Sequence, residues 1–132
     1  MSIQTVLLPV FIEVGLIFAI CGWMIYAINS MLGGGGRNPA REKIARASFA
    51  NQFEMPVLFF ALVPLAILTR AADGLFVALS WVFVVSRIGH AAVHLTSNRQ
   101  PARGLLWLAG VVVLLVLWLS FAGSVLFPQA SP

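Results

Sequence analysis

Charged side chains are scarce in this sequence. Of its 132 residues, 9% are Asp, Glu, Lys or Arg and 61% are hydrophobic, whereas soluble domains carry about 25% charged and about 45–50% apolar residues. A water-soluble fold of this length cannot hide so much apolar side chain. The composition therefore excludes an ordinary soluble domain and predicts an integral membrane protein, with the lipid bilayer as its solvent and first partner.

Cysteine and acidic residues are also few. The single cysteine, Cys21, cannot form an intramolecular disulfide, and we interpret it as a small buried hydrophobic residue because it falls in an apolar run. The formal net charge is +4, but the basic residues flank apolar segments and are not interleaved with exposed aromatics. We therefore expect no nucleic-acid partner, and we expect no metal site.

Long apolar segments are what the sequence has in abundance. Four of them reach the length of about 20 residues that a membrane-spanning helix needs. No internal repeat is visible, so residues 1–132 are predicted to form one all-α domain, a four-helix transmembrane bundle. The predicted helices cover about residues 6–32, 39–69, 75–97 and 103–127. We interpret Trp81, Trp107 and Trp118 as anchors of helix ends or as core residues.

Basic residues are concentrated in the first and third connections. These residues are Arg37, Arg41, Lys43, Arg46, Arg99 and Arg103. Because Lys and Arg are enriched in cytoplasmic loops, we predict that both loops face the cytoplasm and that both termini lie outside. Arginine far outnumbers lysine in the sequence, which is typical of GC-rich bacterial genomes and favours a bacterial inner membrane.

The second predicted helix is longer than a bilayer requires. It starts with Asn38 as a candidate N-cap and Pro39 at the first helical position, after a run of four glycines at 33–36. A helix from there to Thr69 would be roughly 46 Å long, which exceeds a hydrocarbon core of about 30 Å. We therefore expect its basic part to protrude from the membrane and a kink to occur near Pro56.

Three ionisable residues interrupt the third apolar segment. On a helix that advances about 100° per residue, Arg87, His90 and His94 fall within roughly 60° of one another. Charged groups inside a membrane are costly and mark functional sites by default. We predict that this stripe faces the interior of the bundle.

Glu54 on the second helix is the predicted partner of Arg87. By helical rise, Arg87 lies roughly 12 Å and Glu54 roughly 9 Å from the cytoplasmic ends of their spans, and Asn51 comes near the level of His90. A buried arginine needs a carboxylate because an unpaired buried charge costs several kcal/mol. The alternative is that this pair only locks two helices together. Glu13, on the first helix, is expected to lie too far from Arg87 if that helix is straight, and has no assigned partner.

These residues, in this order on four helices, resemble a known family. Asn51 and Glu54 followed by Pro56 look like its Asn-x-x-Glu segment, and Arg87, His90 and His94 look like its Arg-x-x-His-x-x-x-Tyr, with His94 in place of the tyrosine. Arg103 falls at its thiol-activating arginine, and "RNP" at 37–39 resembles its loop motif. The family is the membrane-associated proteins in eicosanoid and glutathione metabolism (MAPEG).

The resemblance implies a homotrimer that binds glutathione between subunits near the cytoplasmic side. It implies a glutathione transferase or peroxidase acting on lipophilic electrophiles or lipid hydroperoxides, with glutathione as co-substrate. Carried over by position, Arg103 would face the sulfur, and the tripeptide would be held by Asn51, Glu54, Arg87, His90 and His94. The sequence departs from the family pattern at Ala47, where members often carry arginine, and at Gly104, where some carry serine.

Two other functions remain open at the level of sequence. The missing arginine at position 47 allows a non-catalytic membrane scaffold or accessory subunit that keeps the fold and uses the polar cluster for packing. "IEVG" at 12–15 resembles the membrane-embedded glutamate of small multidrug exporters, which would make Glu13 a proton carrier. Those exporters do not carry the Arg-His-His stripe.

Overall fold

The protein is built from helices. The computed structural model describes residues 2–32, 39–99 and 101–129, and these contain no strand. The helices are α1 (Ile3–Leu32), α2 (Pro39–Asn51), α3 (Pro56–Leu68), α4 (Gly74–Leu95) and α5 (Ala102–Leu126). Four helical stretches are long and apolar enough to cross a membrane, with α2 and α3 together forming the second. Over the described residues, the prediction of an all-α fold with four segments able to span a membrane is confirmed.

The second span begins at Pro39, the residue that the sequence proposes for the first helical position. Proline suits this position because its missing N–H would have no partner in the first turn. The predicted cap, Asn38, and the glycine run at 33–36 lie outside the described residues.

A break divides the second span near its middle. α2 ends at Asn51 and α3 begins at Pro56, because proline cannot donate the hydrogen bond that would continue the regular helical ladder. The backbone between them tightens into bonds three residues back, including Glu54 N to Asn51 O at 3.4 Å. Asn51 and Glu54 thus stand at an interruption of the helix, close to the bend that Pro56 predicts.

The core joins α3, α4 and α5. Phe59 and Phe83 are fully buried and stack with ring centroids 4.9 Å apart. Leu62 on α3 and Leu114 on α5 extend the same cluster. Because this packing fixes α4 between its neighbours, polar residues farther along the same helices are held at defined positions.

Gly110 lets α5 approach α4 closely. A Cβ at this buried position would lie 3.0 Å from Ser86 Oγ, and that hydroxyl already donates to Phe83 O at 2.6 Å. Small residues permit such close contacts between membrane helices, where packing rather than water exclusion drives association. The contact sets the spacing between the two helices.

Replacing Gly110 with leucine should force α4 and α5 apart and lower the free energy of unfolding by about 1–3 kcal/mol, as overpacking does in other cores. Gly123→Leu is the matched control on the same helix, since, beyond the adjacent backbone of α5, no atom of the described residues lies within 4 Å of a Cβ placed there. Denaturant titration in detergent micelles, followed by circular dichroism, measures both variants. Equal losses in the two variants would contradict a close α4–α5 contact at Gly110.

Candidate functional site

A polar cleft lies where α2, α4 and α5 meet. Its volume is about 440 Å³, which is within the range of small-molecule sites, about 300–1,000 Å³. Five of the six residues that the sequence singled out lie on its wall, and Arg87 does not. The lining residues are Ala47, Asn51, Glu54, His90, His94, Arg103, Gly104 and Trp107.

His90 links the three helices that form the cleft. Its Nδ1 lies 3.0 Å from the main-chain oxygen of Arg103, and its Nε2 lies 2.8 Å from Nδ2 of Asn51. Because a carbonyl oxygen can only accept, Nδ1 carries the proton and donates it, and Nε2 accepts from the Asn51 amide. This pair of hydrogen bonds fixes the tautomer and the orientation of the imidazole.

The loop before α5 holds the side chain of Arg103. Its Nη1 donates a hydrogen bond to Oδ1 of Asn98. Asn98 adopts a left-handed backbone conformation with φ of 49°, which asparagine tolerates better than most residues, and its N–H bonds Val93 O at 2.6 Å. The end of α4 therefore shapes the loop that holds the Arg103 side chain beside the cleft.

His94 lies one helical turn beyond His90, and the two ring centroids are 5.8 Å apart. Within the described part of the chain, its Nδ1 is buried and makes no hydrogen bond. A buried polar atom without a hydrogen bond is costly. Because His94 also lines the cleft, this nitrogen is a candidate contact for a bound ligand.

Arg87 lies behind the cleft. Its residue surface is 1% exposed, and its guanidinium interacts electrostatically with two carboxylates, Glu13 on α1 and Glu54 beside the cleft. The attraction to Glu54 that the sequence suggested is present, but Glu13 contributes the larger one. Arg87 is thus placed to position the Glu54 carboxylate on the wall of the cleft.

The expectation that depth separates Glu13 from Arg87 is wrong. α1 begins at Ile3, three residues earlier than predicted, which sets Glu13 roughly 15 Å along the helix. Successive spans cross the membrane in opposite directions, so α1 and α4, the first and third spans, run in the same direction. Arg87 lies roughly 20 Å from the start of α4 at Gly74. The two side chains therefore sit at similar levels, and Glu13 is fully buried.

Sequence reasoning missed Trp107 and Asn98 as site residues. Trp107 was interpreted only as an anchor or core residue, yet it follows Arg103 by four positions and so shares its face of α5. The sequence indicates the role of Asn98 more weakly, through the tendency of asparagine near the end of a helix to adopt the left-handed conformation. Ala47 and Gly104, the two departures from the family pattern, also line the cleft and leave space where larger side chains would stand.

The comparison of the sequence with known protein families agrees with this architecture. The sequence model of the MAPEG family matches residues 6–123. The chain belongs to the MAPEG family. Among curated proteins and among solved structures, there is no significant match.

MAPEG proteins include glutathione transferases and peroxidases, and membership supports a membrane protein that either has a glutathione-related role or keeps the MAPEG fold. It does not favour the scaffold or exporter alternatives. The match covers all four spans in part or whole, and it includes every residue on the wall of the cleft. The MAPEG assignment therefore rests on the same helices that build the site.

Replacing Glu13 with glutamine should destabilise this MAPEG protein by about 3–5 kcal/mol, because it removes the larger carboxylate attraction on the buried Arg87 guanidinium and leaves that charge poorly compensated. Glu42→Gln is the control: Glu42 bonds Arg46 at 2.8 Å in an exposed pair, and such pairs contribute about 0–1 kcal/mol. Unfolding free energies in detergent micelles measure the difference. Similar small losses for both variants would contradict the importance of Glu13.

Proposed function

We propose that this protein binds glutathione in the polar cleft and catalyses its reaction with lipophilic electrophiles or lipid hydroperoxides. The observation that carries the proposal is the convergence of Arg103, His94, Glu54 and Asn51 on one cleft in a chain of the MAPEG family. Glutathione is a peptide with two carboxylates and one ammonium group, so a cleft with both signs of charge suits it.

Each ligand group has a chemically matched side chain in this proposal. The Arg103 guanidinium can bind a carboxylate or thiolate through charge-assisted hydrogen bonds, and Glu54 can accept from the ammonium group. His94 Nδ1, which is buried without a hydrogen-bond partner among the described residues, can bond to a polar group of the peptide. Arg87 was expected to hold the peptide directly, but its burial supports a role in positioning Glu54.

The reacting species is the thiolate. A guanidinium beside the sulfur stabilises the anion and so lowers the pKa of the thiol. In conjugation, the thiolate attacks an electrophilic carbon and forms a thioether as the leaving group departs or the acceptor bond takes a proton. In peroxide reduction, two glutathione molecules are oxidised to the disulfide while the hydroperoxide becomes an alcohol and water.

An apolar groove between α3 and α5 suits a lipophilic second substrate. It has a volume of about 360 Å³, and its lining includes Met55, Val111 and Trp118. Val111 lies one turn beyond Trp107 on α5, so cleft and groove share a face of that helix. An electrophile dissolved in the bilayer could reach the sulfur along this groove, which brings both substrates together.

The assembly and location belong to the same proposal. We infer a homotrimer in a bacterial inner membrane, with the basic connections cytoplasmic and both termini outside. Glu54 is exposed in the single chain and the cleft is open at its side, which is compatible with a neighbouring subunit completing the site. The cytoplasmic orientation would give the cleft access to soluble glutathione.

The second candidate function is a MAPEG-fold membrane protein that does not catalyse this reaction. The observation that favours it is Ala47, which lines the cleft at a position where family members often carry arginine. Loss of one cation would weaken anion binding, so affinity for glutathione and activation of its thiol need separate measurement.

Glutathione at millimolar concentration should raise the melting temperature of the purified protein and give a thiolate absorbance near neutral pH. Arg103→Ala should abolish the absorbance and weaken binding roughly ten- to a hundredfold, as expected for loss of a hydrogen bond to a charged group. Arg99→Ala is the matched control, because Arg99 is an exposed neighbour that does not line the cleft.

Absence of any stabilisation by glutathione in a folded wild-type protein would contradict the proposal. Binding without a thiolate signal and without turnover would select the non-catalytic candidate. An equal loss of binding in both arginine variants would point to general attraction by the basic end rather than to a specific contact with Arg103.

A further inference from the structure

A second groove lies between α1 and α4 and is lined separately from the cleft. Its volume is about 340 Å³, and its lining is apolar except for Thr96, whose hydroxyl is bonded to Ala92 O at 2.5 Å. None of its lining residues lines the cleft. The groove therefore suits an apolar occupant and is independent of the proposed glutathione site.

The groove extends over about a third of the membrane thickness. It extends from Leu16 to Trp23 on α1 and from Ile88 to Leu95 on α4, which is roughly 10 Å along each helix. Trp23 and Leu95 lie roughly 30 Å from the starts of their helices, a distance equal to the hydrocarbon thickness of a bilayer. The mouth of the groove therefore lies at the membrane interface, on the side of the basic connections.

The mouth of the groove is positively charged. The guanidinium carbon of Arg41 lies 5.8 Å from the centroid of the Trp23 ring, and Trp23 is itself a groove residue. The charged residues at this end, in the described part of the chain, are Arg41, Glu42, Lys43, Arg46, Arg99 and Arg103. The one acidic residue in this set, Glu42, forms a salt bridge with Arg46, so the net charge at the mouth of the groove is positive.

We propose that this groove binds an anionic phospholipid, with one acyl chain between α1 and α4 and the phosphate beside Arg41. The groove is apolar and ends at the level of the membrane interface, next to a cation. These features match a phospholipid, in which the charged headgroup is joined to the acyl chains at that depth. Trp23 suits the junction because indole rings prefer the membrane interface. If a second copy of this chain occupied the groove, it would bring further basic residues to the positively charged mouth. Charge complementarity therefore favours an anionic lipid as the occupant.

The test uses the full protein in phosphatidylcholine vesicles that contain a small fraction of lipid with brominated acyl chains, which quench nearby tryptophan. The brominated lipid is either phosphatidylglycerol or phosphatidylcholine. The quenching that arises at Trp23 is the difference between wild type and Trp23→Phe, a variant that keeps an aromatic ring below Arg41. The ratio of the two quenching constants gives the preference for the anionic lipid.

We expect the anionic lipid to quench Trp23 more strongly, and Arg41→Gln to reduce this preference about fivefold, the effect of one basic side chain at an anionic surface. Arg46→Gln is the matched control, because it removes the same charge on α2 from a residue bonded to Glu42. Ala92→Phe, which fills the groove at an exposed lining position, should reduce quenching by both lipids. Circular dichroism checks that each variant is folded.

Equal quenching by the two lipids would overturn the proposal, because the groove would then have no preference for an anionic headgroup. Equal effects of Arg41→Gln and Arg46→Gln would overturn it in favour of general attraction to the basic end. Weak quenching at Trp23 by either lipid in the wild type would also overturn it, and would indicate that protein covers the groove. If inorganic phosphate, compared with sodium chloride at equal ionic strength, abolished the preference, the site would be an anion site without a chain-binding part.

Discussion

The attraction of Arg87 for two carboxylates is the constraint on which the arrangement of the bundle depends. Lipid offers no hydration to an ion, so a guanidinium that is 1% exposed must be compensated by protein groups. Glu13 and Glu54 come from different spans, so attraction to one cation links α1 and the interrupted second span to α4. Interactions of this kind specify which faces meet, since apolar packing against lipid-like neighbours discriminates poorly between alternatives.

The polar cleft follows from that constraint combined with two local features. The break before Pro56 interrupts the helix beside Asn51 and Glu54, and Gly110 brings α5 close enough for the start of that helix to reach His90. His90 then bonds groups from the second and fourth spans at once. The polar cleft thus lies between α2, α4 and α5, whereas both apolar grooves are lined by residues of helices long and apolar enough to span a membrane.

Much of this architecture could be predicted from the sequence. Hydropathy gave the four spans, and the spacing of Arg87, His90 and His94 indicated a common face, because helical periodicity is a local property. Glu13 was misjudged since its depth depended on where α1 begins, and helix ends are the least reliable part of a sequence-based prediction. The roles of Trp107 and Asn98 depend on how α5 docks against α4, which is a tertiary contact without a local signal.

A double-mutant cycle between Glu13 and Arg87 tests the central claim most directly. Unfolding free energies in detergent micelles are measured for the wild type, Glu13→Gln, Arg87→Gln and the double variant. Direct interaction across α1 and α4 predicts that the double variant loses less than the sum of the single losses, with a coupling of at least about 1 kcal/mol. Losses that add to within about 0.5 kcal/mol would show that the two groups do not interact, and would contradict this account of the fold and the cleft.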